Sequence, residues 1–475
     1  MTWTCSTSKR RPLPLGSTVV VAVAPVHRQW TLGAIGIAVL CVSQFVDVLS
    51  VNAAVIALPD IRADLDIGAG AAQWVISVYA LLFGSLLLFA GRLSDRVGHR
   101  RMLAIGLAGF AAGSVLCGVA QSGATLVIAR AVTGAAAALT VPAALALLVS
   151  GTDGERRHRA LGWWTAAGAG GGVAGLVLGG VLTDLAGWRA AFVAPAAMAV
   201  ACLPLLGSIA PAPPTGDGRP LDVAGASAAV GGLALALAAL SGIANGAGAA
   251  TWAALGGALV VLTAFAAIER RARWPLLPRG LIADRPLMAG TLASAVNTAA
   301  TSPFAVLGAI YLQDVRGWSP AANGLSFVPF SVMVIAGSAV GAVLVGRLGA
   351  RRTLAVALAP LVTMPLVSCA VTARGGEALL VAARAVDGLG LGCAAVVATN
   401  VGTAGAAEER RGFAAGLINT ATQLGTAVSV ALLVPLAAAV ADDTVVGLRV
   451  AFAATAAIAL AGGAGALALL RRRGA

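Results

Sequence analysis

Apolar stretches, each long enough to cross a lipid bilayer, recur along almost the whole 475-residue chain. A span needs about 20 mostly apolar residues. Only 11% of the residues are charged, whereas soluble domains average about 25%. Because no stretch alternates like a barrel strand, backbone hydrogen bonding in lipid requires helices, and the sequence predicts an all-α membrane protein. We place fourteen spans at 31–58, 74–91, 102–120, 125–149, 161–183, 190–208, 222–241, 251–268, 287–311, 323–346, 352–372, 378–400, 412–438 and 448–470.

The 32 basic residues are distributed unevenly between alternate loops. Two of them, Arg130 and Arg384, lie well inside predicted spans. Five lie in or beside the loops of one side, and the loops and tails of the other side carry the remaining 25. Positive residues are retained in the cytoplasm. We therefore expect a multi-pass protein of the cell membrane with both termini cytoplasmic. The net charge of +13 reflects this bias, and we expect no nucleic-acid partner.

The chain repeats itself in two halves. LVIARAVTG (126–134) and LVAARAVDG (380–388) match at seven of nine positions, and RVGHRR (96–101) resembles RLGARR (347–352). Two homologous helical halves predict a transporter with a central site between them. We divide the chain into an N-terminal tail (1–30), a six-helix half (31–208), a linker with two additional helices (209–285), a second six-helix half (286–470) and a C-terminal tail (471–475). The first tail resembles a weak signal peptide, but a cytoplasmic tail or an over-extended start fits its composition better.

Four charged residues lie well inside the predicted spans, away from their ends. Such residues usually face the interior of the bundle and mark a pathway or a pair. We expect Asp47 and Arg130 to pair, either as a permanent structural ion pair or as a site whose proton binding responds to conformation. Arg384 and Asp387 lie three residues apart on one helix and could neutralise each other. Asp387 has Thr133 as its equivalent in the first half.

Four segments give the chain a family resemblance. FVDVLSVNAAVIALPDI (45–61), QWVISVYAL (73–81), GRLSDRVGHRR (91–101) and ARAVTGAAAA (129–138) resemble the major facilitator superfamily, and within it the fourteen-span drug:proton antiporters of the QacA/EmrB type. The resemblance covers essentially the whole chain. It implies a major facilitator fold, with two six-helix halves plus two inserted central helices.

The family's first-span motif corresponds here to Asp47, Asn52 and the Ala57–Pro59 segment. The resemblance implies proton coupling at Asp47, whereas Asn52 would either orient substrate or bond across helices. Arg130 and Gly134 match a fourth-span motif whose arginine is thought to participate in proton transfer.

In the second half, Asp387 would be another titrating group or a countercharge for substrate. Arg384 is a candidate for lining the substrate cavity. Both assignments rest on the burial of a charged residue within a span.

The segment between spans two and three matches the family's cytoplasmic gating loop. In relatives its aspartate latches the two halves in one state by engaging an arginine and a helix N-terminus, which the helix dipole favours. His99 stands where relatives usually carry Arg or Lys, and the second copy has Gly346 at the position of the acid. The matching residues are Gly91, Asp95, Arg96, Gly98, Arg100 and Arg101.

The glycine-rich stretch GAGGGVAGLVLGG (168–180) matches the fifth-span antiporter motif with one departure. Three of its glycines recur every fourth residue, so they would line one helical face and allow close approach of a neighbour. Leu176 stands where the motif has proline, which would bend the helix. The matching glycines are Gly162, Gly171, Gly175, Gly179 and Gly180.

These features predict proton-coupled antiport efflux of small lipophilic drugs, antibiotics or toxic natural products by alternating access. The chain shows no catalytic constellation, phosphate-binding loop or metal-spaced ligands, so we expect no enzyme activity, cofactor or metal, and a monomer in the lipid bilayer driven by protons. The alternatives are a proton-coupled importer or symporter of a small metabolite and, less favoured, a non-transporting sensor on a transporter scaffold.

Overall fold

The computed structural model describes residues 32–210, 222–244, 248–271, 284–404, 408–440 and 443–470. Within these ranges fourteen helices are long and apolar enough to cross a membrane, which confirms the predicted number. They are α1 (Ala34–Asp64), α2 (Gly70–Val97), α3 (His99–Gly118), α4 (Gly123–Ser150), α5 (Gly154–Ala186), α6 (Ala190–Ser208), α7 (Val223–Ile243), α8 (Ala249–Arg271), α9 (Arg285–Val315), α10 (Pro320–Leu348), α11 (Ala350–Ser368), α12 (Glu377–Ala404), α13 (Phe413–Ala439) and α14 (Thr444–Leu469).

Several helices extend beyond the predicted spans. We expected α1 to end before Pro59, yet it continues to Asp64 with the proline inside it. A proline removes one backbone hydrogen bond, and neighbouring helices make this tolerable in membrane proteins. The helix α5 begins earlier than predicted, at Gly154 and not at 161. The additional turns carry arginines, which the predicted apolar span left out.

The two copies of the RxGxRR repeat adopt the same backbone conformation. Gly98 ends α2 with a φ of 99°, and Gly349 ends α10 with a φ of 75°. Such positive φ values suit glycine, which lacks a Cβ. In each half the glycine lets one helix stop and the next begin at once, at His99 and at Ala350.

The two halves also share their packing pattern. In the first half α1 contacts α5, α4 contacts α2 and α3, and α3 contacts α6; the equivalent pairs of the second half are α9 with α13, α12 with α10 and α11, and α11 with α14. Between halves, α2 contacts α13 and α5 contacts α10, which are again equivalent pairs.

The predicted additional helices, α7 and α8, contact each other, and α7 also contacts α2 and α13. The boundaries of the five-part division stay a prediction. Both predicted tails, 1–30 and 471–475, and the linker segments 211–221 and 272–283 lie outside the described residues.

The glycine-rich stretch of α5 lies against α1. A Cβ on Gly171, Gly175 or Gly179 would collide with the backbone of Phe45, Leu49 or Ala53 respectively. These three glycines therefore form one ridge, as their spacing predicts. Gly162 does not belong to it, because nothing lies within 4 Å of where its Cβ would stand.

We expect Gly175→Ala to destabilise the protein by about 1–3 kcal/mol, the usual effect of overpacking. The new Cβ would stand 2.9 Å from the Cβ of Asn52 and 3.0 Å from the Cα of Leu49. Thermal unfolding in detergent measures the effect. Gly162→Ala is the matched control and should leave the melting temperature unchanged or slightly higher, because alanine favours helix; equal losses in both variants would contradict the ridge.

Candidate functional site

Asp47 lies in α1 with only 4% of its surface exposed. Its Oδ1 accepts a hydrogen bond from the hydroxyl of Tyr79 on α2. Tyr79 is itself buried. The carboxyl group is thus held inside the first half by a donor from a neighbouring helix.

Arg130 is fully buried on α4, and its guanidinium carbon lies 4.3 Å from the centre of the Tyr79 ring. Its Nε donates to the Val75 carbonyl at 2.9 Å and its Nη1 donates to the Ser50 hydroxyl at 3.3 Å. No hydrogen-bond partner for Nη2 occurs in the part of the chain that the structure describes. A cation over an aromatic face is stabilised by the ring quadrupole, so Tyr79 takes the place of a carboxylate partner.

Asp47 and Arg130 therefore meet through Tyr79. No Asp47–Arg130 ion pair within 4.0 Å exists among the described residues, so the expected direct pair is not present in this conformation. The physical reason is steric, because the tyrosine ring occupies the space in front of the guanidinium.

Gly134 makes this arrangement possible. It lies one helical turn beyond Arg130, and a Cβ there would stand 2.6 Å from the carbonyl oxygen of Tyr79. Glycine thus brings α4 against the backbone of α2 and delivers the arginine onto the ring. The second copy is alike, since a Cβ on Gly388 would stand 2.5 Å from the Phe330 carbonyl of α10.

Arg384 occupies the equivalent place in the second half. Its guanidinium carbon lies 4.1 Å from the centre of the Phe327 ring. It donates to Asn323 Oδ1 and Ser326 Oγ, both at 3.3 Å, and to the Ala305 carbonyl at 3.2 Å.

Asp387, one turn beyond Arg384, is fully buried, and neither of its carboxylate oxygens has a hydrogen-bond partner. The Thr301 hydroxyl of α9 lies beside it, but that hydroxyl is also unpartnered by hydrogen-bond geometry. Arg384 and Asp387 form no ion pair within 4.0 Å among the described residues. A direct ion pair, one of the possibilities that their spacing allows, is therefore not formed in this conformation, because Arg384 extends toward Phe327.

A cavity of about 650 Å³ opens between the halves at one end of the bundle. We name this the arginine-rich end, since it carries the connections at Gly98 and Gly349. Apolar and aromatic side chains dominate the wall, as in sites for small molecules. Gln44, at the inner part of the cavity, lies three residues from Asp47. The wall includes Leu87, Leu88, Trp164, Phe413 and Asn419.

Two residues assigned to the substrate cavity do not line it in this conformation. The Asn52 amide donates to the Val48 carbonyl of its own helix at 2.9 Å, and its Cβ faces Gly175. Arg384 is sealed inside the second half. Both positions lie at helix contacts in this conformation, and their assignment to the substrate cavity stays a prediction.

The predicted gating loop borders this cavity. Gly91, Arg92 and Asp95 all line it, and the Asp95 side chain is about half exposed. The Asp95 carboxylate lies 3.7 Å from His99 Nε2, while His99 Nδ1 lies 2.8 Å from the Ser94 hydroxyl. His99 is thus buried at the start of α3.

The other members of the predicted loop are Arg96, Arg100 and Arg101. Arg96 lies in the last turn of α2, and Arg100 and Arg101 lie in the first turn of α3. They flank Gly98, whose backbone conformation turns the chain between the two helices. The three cations are therefore placed together at the arginine-rich end.

The opposite end of the bundle is closed by contacts between the halves. Arg62 Nη1 and Asp314 Oδ2 are 3.3 Å apart, and Gln313 Nε2 donates to the Ile56 carbonyl at 3.1 Å. Asp184 accepts from the Ala321 amide at 3.2 Å, in the first turn of α10, where the helix dipole favours an acid.

Glycines complete this closed end. A Cβ on Gly180 would collide with the carbonyl of Pro320, and a Cβ on Gly324 would collide with that of Leu176. The Leu176 side chain packs with Ile56 and Phe327. Leu176, which replaces the motif proline, therefore contacts Phe327. The ring of Phe327 in turn lies against the Arg384 guanidinium.

Comparison with known proteins identifies the family. The sequence pattern of the Major Facilitator Superfamily matches residues 40–430 and 287–475. The chain belongs to this superfamily.

Three curated relatives from this superfamily align with most of the chain. The puromycin resistance protein pur8 of Streptomyces alboniger is 34% identical over 430 residues, covering 86% of this chain and 82% of the relative. The cephamycin export protein CmcT of Amycolatopsis lactamdurans is 35% identical over 413 residues, covering 83% and 82%. The tetracenomycin C resistance and export protein of Streptomyces glaucescens is 30% identical over 426 residues, covering 88% and 77%.

A solved structure supports the fold. A crystal structure of the peptide transporter POT in complex with sulfate superposes with a TM-score of 0.70, at 19% identity, over 93% of this chain and 96% of the other. At that identity the likeness concerns architecture alone. The major facilitator fold predicted from the sequence is thus confirmed.

Sequence reasoning gave no role to Tyr79, Phe327 or the contacts of the closed end. One signal was available, since the chain contains only two tyrosines and Tyr79 lies within a segment that resembles the superfamily. Phe327 also lies within a segment that resembles the superfamily (311–329), but it stands out less because the chain contains eleven phenylalanines. Its importance follows only from its position between Leu176 and Arg384.

We expect Leu176→Ala to loosen the closed end of this superfamily member. Truncating a buried leucine costs about 2–5 kcal/mol, and part of that loss falls on the contact with Phe327. In a variant without native cysteines, Gln313→Cys reports opening through its rate of maleimide labelling in detergent. The rate should rise about tenfold or more.

Leu178→Ala is the matched control, because Leu178 lies on the same helix with 46% of its surface exposed. It should leave the labelling rate unchanged. Leu176→Pro, which restores the motif residue, also removes the leucine contact and should act in the same direction. Equal labelling rates in all variants would contradict a closing role for Leu176.

Proposed function

We propose that this chain exports small lipophilic compounds, such as drugs, antibiotics or toxic natural products, in exchange for protons. The observation that carries the proposal is the buried carboxyl of Asp47. Tyr79 holds it beside Arg130, for which the described residues provide no carboxylate partner. Gln44, three residues before Asp47, lies in the cavity wall. The names of the relatives, which denote resistance to or export of antibiotics, support efflux of this substrate class.

The orientation in the membrane follows from the distribution of charge. Because positive residues remain in the cytoplasm, we assign the arginine-rich end to the cytoplasmic side of the cell membrane, and with it both termini. The cavity then faces the cytoplasm, and the contacts of Arg62 and Asp184 close the external side. An exporter receives its substrate in this conformation.

Asp47 supplies the coupling in this proposal. Its ionised form is favoured by the Tyr79 hydroxyl and by the nearby charge of Arg130, and its neutral form is favoured by burial. Movement of α2 or α4 between conformations changes the hydrogen bond, the distance to the arginine charge and the burial of the carboxyl together. Protons then bind when one face is open and leave when the other is open, so that transport uses the gradient without a cofactor.

The second half offers another titratable group. Asp387 is buried one turn from the charge of Arg384, and no described residue donates a hydrogen bond to it. A carboxyl in such a place can bind a proton or balance the charge of a cationic substrate. We therefore assign Asp387 a secondary role as a proton site or countercharge, and Asp47 the primary one.

The cavity fits the proposed substrate class. Its volume of about 650 Å³ lies within the range for drug-sized ligands. Leu87, Trp164 and Phe413 offer apolar surface, and Gln44 and Asn419 offer hydrogen bonds. Such a wall suits amphipathic molecules that reach it from the cytoplasm. We regard the protein as a monomeric transporter in the lipid bilayer, built from the halves 31–208 and 286–470 around the linker 209–285.

Transport in inside-out vesicles tests the proposal. With an acidic lumen, the wild type should take up ethidium or puromycin, and adding substrate should make the lumen more alkaline. Asp47→Asn keeps the shape and the tyrosine contact but cannot exchange a proton. We expect its gradient-driven uptake to fall to the rate seen without a gradient.

Asp443→Asn is a matched control, because Asp443 caps α14 far from the buried site in sequence and should leave uptake unchanged. Equal yield and melting temperature of the two variants exclude loss of folding. Undiminished gradient-driven uptake by Asp47→Asn, or acidification on adding substrate, would refute the proposed antiport at Asp47.

A further inference from the structure

We propose that Tyr79 is a positioning residue that holds both coupling groups at once, and that its hydroxyl sets the pH at which Asp47 exchanges its proton. The inference rests on the proposed function of Asp47. It assigns to Tyr79 a role that no sequence motif indicates.

Tyr79 is fixed from several sides. The ring supports Arg130 on one face and packs edge-to-face with Phe83 at 6.0 Å. Gly134 abuts its backbone. Only 1% of the residue is exposed, and its hydroxyl donates to the Asp47 carboxylate. The ring and the hydroxyl therefore act on different partners from one rigid side chain.

Few charged or titratable groups face this carboxyl. Among the described residues they are Tyr79 from α2 and Arg130 from α4, while Cys117 from α3 faces the arginine. The neighbouring face of α5 presents Gly171 and Gly175. From α6, Phe192 contributes a ring 5.8 Å from Arg130 and no charge. The hydroxyl is thus the one hydrogen-bond donor to Asp47 that the described residues provide.

The second half holds its buried arginine differently. Arg384 lies over the ring of Phe327, whereas the glycine contact of the repeat places Phe330 at the position equivalent to Tyr79. Asp387 lies on α12 and is not the equivalent of Asp47, and no described residue donates a hydrogen bond to it. Among the described residues, a hydroxyl that lies between a buried carboxyl and a buried arginine therefore occurs only beside Asp47.

A donor to the charged form of a carboxyl favours that form. With the hydroxyl in place, Asp47 releases its proton at a lower pH than it would without it. The Tyr79 ring also contacts the Arg130 guanidinium. A shift of α4 against α2 therefore changes both the hydrogen bond to Asp47 and the effect of the arginine charge on it. Tyr79 thereby couples helix movement to proton release.

Tyr79→Phe removes the hydroxyl and keeps the ring under Arg130. Ethidium transport by the full chain is measured in inside-out vesicles across pH 5.5–8.5. A hydrogen bond to a charged group is worth about one to two pH units. We expect the pH midpoint to move toward alkaline values by that amount, since the carboxyl keeps its proton to higher pH, while the maximal rate stays within about threefold.

Two further variants separate chemistry from packing. Phe83→Leu loosens the ring but retains the hydroxyl and should leave the midpoint in place. Replacing Tyr79 by 3-fluorotyrosine keeps the shape with a stronger donor and should move the midpoint toward acidic values, which provides a test even if Tyr79→Phe fails to fold.

An unchanged midpoint in both Tyr79 variants, with gradient-driven uptake still abolished in Asp47→Asn, would overturn the role of Tyr79 and leave the proposed function intact. An equal alkaline shift in Phe83→Leu would also overturn it, because packing alone would then explain the effect. If Asp47→Asn itself retains gradient-driven uptake, the proposed function fails independently of Tyr79.

Discussion

Placing a guanidinium charge inside a helical bundle in lipid is the constraint on which the rest of this structure depends. Arg130 and Arg384 are both buried, and burial of an unpaired charge in a membrane is costly. Each is stabilised by an aromatic face and by oxygen atoms of neighbouring helices. These contacts need close approach of helices, which the glycine four residues after each arginine provides.

The duplicated arrangement separates what the fold requires from what coupling requires. An arginine over a ring, with a glycine behind it, occurs in both halves and belongs to the architecture. Among the described residues, a tyrosine hydroxyl donates to an aspartate in the first half only. This asymmetry is the reason for proposing that proton exchange is tuned in the first half, although the two halves have equivalent helix contacts.

Much of the fold follows from local rules that can be applied to a sequence. Apolar length predicts the fourteen helices, the repeat LVIARAVTG predicts two alike halves, and the spacing of Gly171, Gly175 and Gly179 predicts a packing face. Burial of charge likewise singles out Asp47 and Arg130. What could not be predicted is contact between helices distant in sequence. The tyrosine between Asp47 and Arg130, the position of Asn52 against α5 and the open surroundings of Gly162 all depend on which helices become neighbours.

The closed end joins the halves largely through main-chain surfaces, with Gly180 against the Pro320 carbonyl and Gly324 against that of Leu176. Such contacts demand small residues at two positions and little of the side chains elsewhere. The walls of the cavity lie near the other end and share none of these residues. Mutations that alter which compounds are accepted can therefore accumulate without disturbing closure, so one scaffold can diversify its substrate range during evolution while its mechanical cycle is conserved.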